Sequence, residues 1–288
     1  MKESIKDRLF QNAITCILCI LAFIALIPII SVIAMSFSSK AAADMNIVNL
    51  LPVGFTLASW KYILMDSGLW RALLVTLIAT LTGTVLALSI TSLMAYPLSK
   101  SNFKLGRALM LFVIITMIFK APIVPYFLTL RGMGLFNNPL VLVLPHILTA
   151  YNLAIMRTFF KQFPAEIEEA AMIDGCGYFQ ILFKIVLPSS KAVLATVGLF
   201  YAVTIWNQFQ HPLMFISNTD LFPLQLKIRQ LISGGSELAN ITMMSNVNYT
   251  ESTLSAATVV FAIAPIIAVY PWLQKYFAQG AMLGSVKG

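Results

Sequence analysis

The chain has 288 residues, 59% of them hydrophobic and only 10% charged, with a mean hydropathy of +0.86 and a formal net charge of +8. A soluble domain carries about a quarter of its residues charged, so this composition excludes one and makes lipid the natural solvent. The positive balance does not point to nucleic acid, because the Lys and Arg residues flank apolar segments and form no basic stripe with interleaved aromatics.

Residues 1–11 mix Lys2, Lys6 and Arg8 with Glu3 and Asp7 ahead of an apolar stretch too long for a signal-peptide core, so that stretch is expected to stay as the first span. A crossing helix needs about 20 mostly apolar residues to match a hydrocarbon core of roughly 30 Å. Six segments qualify: 13–37, 72–98, 108–130, 140–160, 192–212 and 254–277. In lipid their backbone amides are satisfied only as helices, and nothing reads as the short alternating strands of a barrel. The predicted fold is therefore an all-α integral membrane protein, six transmembrane helices in a single permease domain over 1–288, with a tail at 278–288.

An even number of spans puts both termini on one side. With the N-terminus inside, twelve basic residues are cytoplasmic (Lys2, Lys6, Arg8, Lys100, Lys104, Arg107, Arg157, Lys161, Lys184, Lys191, Lys275, Lys287) and six are outside (Lys40, Lys61, Arg71, Arg131, Lys227, Arg229). The positive-inside rule then places both termini in the cytoplasm of a multi-pass cell-membrane protein. Cys16 and Cys19 lie in the first apolar run and Cys176 in a polar loop, a distribution that suggests small buried hydrophobes and no disulfide framework.

The cytoplasmic connection 161–191 is the most informative of three long ones. Pro164 opens a helix, residues 165–174 are rich in helix formers, and Gly175 with Gly177 supplies a stop. Glu166, Glu168 and Glu169 suit the N-terminal half of that helix electrostatically. A second short helix repeats apolar residues from Tyr178 to Leu187 until Pro188. Asp174 either caps it or is simply exposed.

The connection reads Glu169-Ala170-Ala171, three residues, Gly175, nine residues, Ile185, one residue, then Leu187-Pro188. This spacing resembles the EAA motif of permease subunits of binding-protein-dependent ABC importers. The resemblance extends to the carbohydrate importers of the maltose-permease type, through residues 121–126 and 134–138, 156–160, Ile173-Asp174-Gly175, Trp206-Asn207, Pro212-Leu213 and the ending 284–288. It implies a second homologous permease subunit, two copies of an ATP-binding subunit that holds the ATP and Mg, and an extracytoplasmic sugar-binding protein. It also implies that Glu169, Ala170, Ala171, Asp174, Gly175, Ile185, Leu187 and Pro188 couple this chain to the ATPase, with Glu169 facing basic groups there.

Lys120 is the one formal charge inside a predicted span. It either lines a gate or snorkels to the outer surface. Asn152, Trp206 and Asn207 suit a sugar path through aromatic stacking and amide hydrogen bonds, although Trp206 equally suits helix packing. His146 and His211 lack an intramembrane carboxylate to complete a proton relay or a metal set, and are expected to be satisfied packing residues.

The sequence contains no phosphate loop, no His-Glu-x-x-His and no Gly-x-Ser-x-Gly, so the chain is expected to be no enzyme and to hold no cofactor. The rival readings are an EAA-loop importer of a non-sugar solute, an ion-coupled secondary transporter and an integral-membrane enzyme. The second lacks intramembrane carboxylates and paired repeats. The third lacks a nucleophile–base pair or metal cluster.

Overall fold

The computed structural model describes residues 5–233 and 248–285, and it is helical, with no strand among those residues. Val286, Lys287 and Gly288, part of the resembling tail, lie outside the described residues, as do residues 234–247 of the expected outer connection. Three helices are long and apolar enough to cross a bilayer: α1 (Ile5–Ser36), α4 (Ser67–Ser99) and α13 (Glu251–Ser285). The chain falls into two compact units, Met1–Trp70 with Ile228–Pro265, and Arg71–Lys227 with Ile266–Gly288.

In the first unit, α1 begins at Ile5, within the segment expected to precede the span. It is apolar around its whole circumference, and residues 10–30 are all exposed on the chain's own surface. That is the pattern of a helix covered by lipid or another chain. Cys16 and Cys19 are accordingly exposed, not buried as expected, because α1 packs on nothing within the chain over that stretch. The end of α1 is held firmly. Ser38 Oγ donates to Ala34 O at 2.7 Å and accepts from Val53 N at 3.1 Å, and the Phe37 ring stacks on Phe55 and Trp60. Two short helices, α2 (Lys40–Asp44) and α3 (Ala58–Met65), occupy the following connection, and Ser59 Oγ bonds Thr253 Oγ1 at 3.0 Å.

In the second unit the third, fourth and fifth predicted spans are not straight. The third is α5 (Gly106–Ile118) and α6 (Ile123–Gly132), bent by 116°. Pro122 and Pro125 supply no backbone donors there and disfavour helical geometry in the residues before them. The fourth opens as two 3-10 turns, Pro139–Leu142 and Leu144–His146, before α7 (Ala150–Lys161), with a 46° bend. Pro139 and Pro145 break the α ladder, and Thr149 Oγ1 then caps α7 through the Asn152 N–H at 3.4 Å. The fifth is α10 (Lys191–Trp206), ending five residues or so before the predicted end at Pro212. Asn207 stops it: its backbone N–H and its Nδ2 both bond Val203 O, at 3.1 and 2.9 Å, and the chain restarts as α11 (Gln210–Phe215). By length and composition the described residues hold three spans, or up to six if each bent pair is one, the third such pair being Tyr178–Ser189 with Lys191–Trp206.

The core of this unit joins α4 to α7 and α10 through Ala87, Ala95, Leu153, Met156, Val197 and Tyr201. Helices approach closely where small residues face the partner: a Cβ on Gly83 of α4 would lie 2.6 Å from Ile205 Cδ1 of α10. Tyr201 OH pairs with Thr91 Oγ1 at 2.7 Å and accepts the Thr149 N–H at 3.2 Å, so one buried hydroxyl ties three elements together.

Candidate functional site

The connection 161–191 folds as the two helices its sequence predicts. The first, α8 (Ala165–Ile173), starts after Pro164 with Glu166 and Glu168 in its first turn. It ends in a complete Schellman turn: the Gly175 N–H bonds Met172 O at 3.0 Å and the Cys176 N–H bonds Ala171 O at 2.9 Å. Gly175 has φ +85°, a conformation that only glycine adopts freely, while the space where its Cβ would go is empty. The second helix, α9 (Tyr178–Ser189), is capped by Gln180, whose Oε1 accepts the Gly177 N–H at 3.2 Å. Asp174 makes no cap; it is exposed at the C-terminus of α8. Pro188 lies within α9, not at its end. A π turn over Leu182–Val186 precedes it, and the Leu187 N–H reaches back to Leu182 O. The stop comes two residues later, in an 86° bend into α10.

The residues of the motif divide by the face they present. Glu169, Ala170, Asp174 and Pro188 are exposed, whereas Ala171 is buried and Ile185 and Leu187 pack against the core. The outer face of α8 also carries large apolar side chains in the open, Ile167, Met172 and Ile173, the last 87% exposed. An acidic group ringed by exposed apolar side chains has the make-up of a contact surface for another protein.

Opposite Glu169, Glu168 points inward and is only 5% exposed. Lys100, just after the end of α4, donates from Nζ to both of its carboxylate oxygens, and the ammonium lies 4.4 Å from the Tyr96 ring centroid. Tyr96 OH donates weakly to Glu168 Oε2 at 3.5 Å. A carboxylate with such partners tolerates burial that an isolated charge would not. Arg157 of α7 anchors the same end of α4, donating from Nε to Leu98 O at 2.8 Å and satisfying a carbonyl that the helix end leaves free. No sequence signal marks this pair, since 67 residues separate its members and only their opposite charges relate them.

The four candidates for a solute path are not brought together. Lys120 is exposed in the break between α5 and α6, outside any helix. Asn152 is buried at the start of α7, and exposed Asn207 spends its amide on Val203 O. Trp206 is buried, with no hydrogen-bond partner for Nε1 among the described residues. A separate group of polar side chains meets in a way the sequence did not signal. His146 and His211 meet edge to face at 4.8 Å, Tyr126 OH lies 2.8 Å from His211 Nε2, and Gln208 Nε2 donates to Leu142 O at 2.9 Å. His211 is satisfied as expected. His146 interacts with the Gln208 side chain, while its Nε2 and Gln208 Oε1 make no hydrogen bond of ordinary geometry among the described residues. Among the described residues no three His, Cys, Asp or Glu side chains gather as a metal site.

A helical membrane domain with broken spans and a polar helix–turn–helix connection that exposes an acidic, apolar-rimmed face defines a transport permease component. Residues 87–282 match the family described as binding-protein-dependent transport system inner membrane component, and the chain belongs to that family. Over 286 residues, 99% of this chain and 100% of the relative, it is 38% identical to the polygalacturonan/rhamnogalacturonan transport system permease protein YtcP of Bacillus subtilis. It is 40% identical to Protein LplC of the same organism over 257 residues, 88% of this chain and 87% of that protein. Among solved structures it resembles a chain of a bacterial ABC transporter involved in the import of the acidic polysaccharide alginate, with a TM-score of 0.88, 33% identity, and coverage of 96% of this chain and 99% of that one. The chain is a multi-pass cell-membrane protein of that transport class.

Proposed function

We propose that the whole chain acts as one permease domain of an ATP-driven ABC importer for an oligosaccharide, forming half of the translocation path and docking α8 on a separate ATPase. The observation that carries this reading is the division of α8 into an inward face, Glu168 and Ala171, and an exposed face, Glu169, Ala170 and Ile173. A helix built only to close a loop gains nothing from presenting Ile173 to solvent. One that seats in a partner's cleft does. In this reading Glu169 meets basic groups on the ATPase, Gly175 sets the angle of α8, and Ile185 and Leu187 hold α9 to the core so that the hairpin moves as one piece. Both termini and the hairpin lie in the cytoplasm, six spans cross the bilayer, and ATP with Mg is bound by two partner subunits. A second permease chain completes the path and an extracytoplasmic binding protein delivers the sugar. Closure of the ATPases then rocks the spans between two packings.

The cargo we infer is a uronate-containing oligosaccharide. The names of YtcP and of the alginate transporter support it, since polygalacturonan and alginate are both carboxylate polymers. Lys120, the exposed cation at the α5–α6 break, is the path residue best suited to such a solute, with Asn152, Trp206 and Asn207 contributing amide and indole groups.

The test is reconstitution of both permeases, the ATPase and the binding protein in liposomes, following uptake of labelled oligogalacturonate and of a neutral oligosaccharide together with ATP hydrolysis. ATP-dependent uptake of oligogalacturonate is expected. Uptake of the neutral sugar alone would overturn the cargo and leave the class standing, and uptake driven by an ion gradient without ATP would overturn the class. Orientation is checked in cells with Ser101→Cys, expected to be shielded from an impermeant thiol reagent, and Asn218→Cys, expected to be labelled.

A further inference from the structure

We propose that Lys100 and Glu168 form the mechanical link that carries movement of α8 into the spanning helix α4, which makes both of them positioning residues for coupling. The proposal rests on the reading of α8 as the ATPase contact. It goes beyond that reading because it concerns the inward face of α8, where Glu168 is buried against this chain itself.

Three observations carry it. The pair joins two elements that are distant in sequence, the first turn of α8 and the end of α4, and Lys100 engages both oxygens of Glu168. Drawing Glu168 away from the end of α4 would leave a buried charge unpaired, so the ion pair resists withdrawal of α8 more strongly than a single apolar contact does. The pair also stands at the wall of a cavity of about 400 Å³ lined by Leu93, Tyr96, Pro97, Phe103, Phe179 and Leu182. Apolar packing also joins the two elements, since Ala171 of α8 belongs to the same core as Ala95, Tyr96 and Leu98 of α4, and at the cavity wall the ion pair adds to that packing a contact that is costly to break. Finally, the α4 end of the bridge is itself fixed. Arg157 holds Leu98 O, Ser99 Oγ donates to Tyr96 O at 2.6 Å, and the Tyr96 ring lies under the Lys100 ammonium and beside Phe160. A displacement entering at Glu168 therefore arrives at a braced helix terminus, not at a free side chain.

Glu168 and Glu169 are adjacent and would be read alike from the sequence, yet the structure assigns them opposite tasks. Glu169 faces the partner, and Glu168 faces the chain's own span. Loss of Glu169 should detach the ATPase. Loss of Glu168 or Lys100 should leave it attached and idle with respect to transport.

The experiment compares wild type, Lys100→Met, Glu168→Gln and the double variant Lys100→Cys/Glu168→Cys in the complete complex in liposomes. It reads ATP hydrolysed per oligogalacturonate carried, together with the amount of ATPase that co-purifies. The single variants are expected to keep the ATPase bound while that ratio rises about tenfold. In the double-cysteine variant a short bifunctional thiol cross-linker spanning the two positions should bring the ratio back toward wild type, and reduction of a cleavable linker should raise it again. Because the last comparison is made within one assembled protein, it does not depend on how well each single variant folds. An unchanged ratio in both single variants, or a cross-link without effect, overturns the link. Wild type carrying Glu169→Cys separates this from the reading beneath it: failure of that cysteine to cross-link to the ATPase removes the contact and the link together. Cross-linking there with an unchanged ratio in the Lys100 and Glu168 variants removes the link alone.

Discussion

Two interruptions of the apolar chain, one between α8 and α9 and one between α5 and α6, are built in opposite ways. At the first, both Schellman hydrogen bonds are made, Gln180 caps the next helix, Glu168 is clasped by Lys100, and Ala171, Ile181 and Leu182 enter the core. At the second, the Phe119 N–H bonds Ile115 O and the Tyr126 N–H bonds Pro122 O, no side chain caps either helix, and residues 117–125 are all exposed on this chain. A break that must transmit force needs its backbone groups and side chains held by the same chain. One that lines a path or meets a second subunit leaves them available to a solute, to lipid or to a partner. On the proposed reading the tight break is the coupling element and the open break the adaptable one.

The largest effect that would test this contrast is at Glu169. Reversal to Lys places a cation against the basic groups proposed on the ATPase, and exchange of attraction for repulsion across a desolvated contact costs several kcal/mol. We expect Glu169→Lys to lower uptake by more than about tenfold and to end stimulation of ATP hydrolysis by loaded binding protein, with normal membrane insertion. Full uptake with full stimulation would make the hairpin an ordinary loop.

Gly175→Val should come next. A β-branched residue in the left-handed region costs on the order of 1–2 kcal/mol, and nothing surrounds the site to clash with, so the penalty is backbone strain alone. The hairpin relieves it by re-aiming α8. Uptake is expected to fall severalfold while the chain still inserts, and Gly175→Ala should show a milder form of the same defect. If Val at this position left coupling unchanged, the tightness of the first break would be irrelevant to function.

The smallest effect belongs to the open break. Lys120 is exposed and has no partner to lose among the described residues, so Lys120→Met should leave assembly and thermal stability in detergent unchanged, within about 0.5 kcal/mol. Uptake of oligogalacturonate is expected to fall about two- to threefold, and uptake of a neutral analogue not at all, from loss of one screened charge. Equal uptake of the acidic solute by variant and wild type would remove Lys120 from the path. Collapse of the complex would show that the break is as tightly built as the other.

Much of the architecture was legible before any coordinates. Lipid as solvent follows from composition because the hydrophobic cost of exposing such a chain to water is set by residue type alone, wherever the residues fall in space. The start of α8 at Pro164, its stop at Gly175 and the helical reading of residues 178–187 follow from local backbone chemistry, which neighbours in sequence decide. The straightness of the spans was not legible. Hydropathy sums a window and does not register that the helix is interrupted near Pro122, Pro145 and Asn207 within apolar runs. Which carboxylate of the Glu168-Glu169 step turns inward, and that Lys100 awaits it, was decided only by tertiary packing. The faces of a short amphipathic helix are assigned by what lies beneath it, here the end of α4 brought alongside from 68 residues away. For the same reason His146 and His211, unrelated in the sequence, became neighbours. Local chemistry specifies where helices begin and end, and only the fold specifies what each of their faces meets.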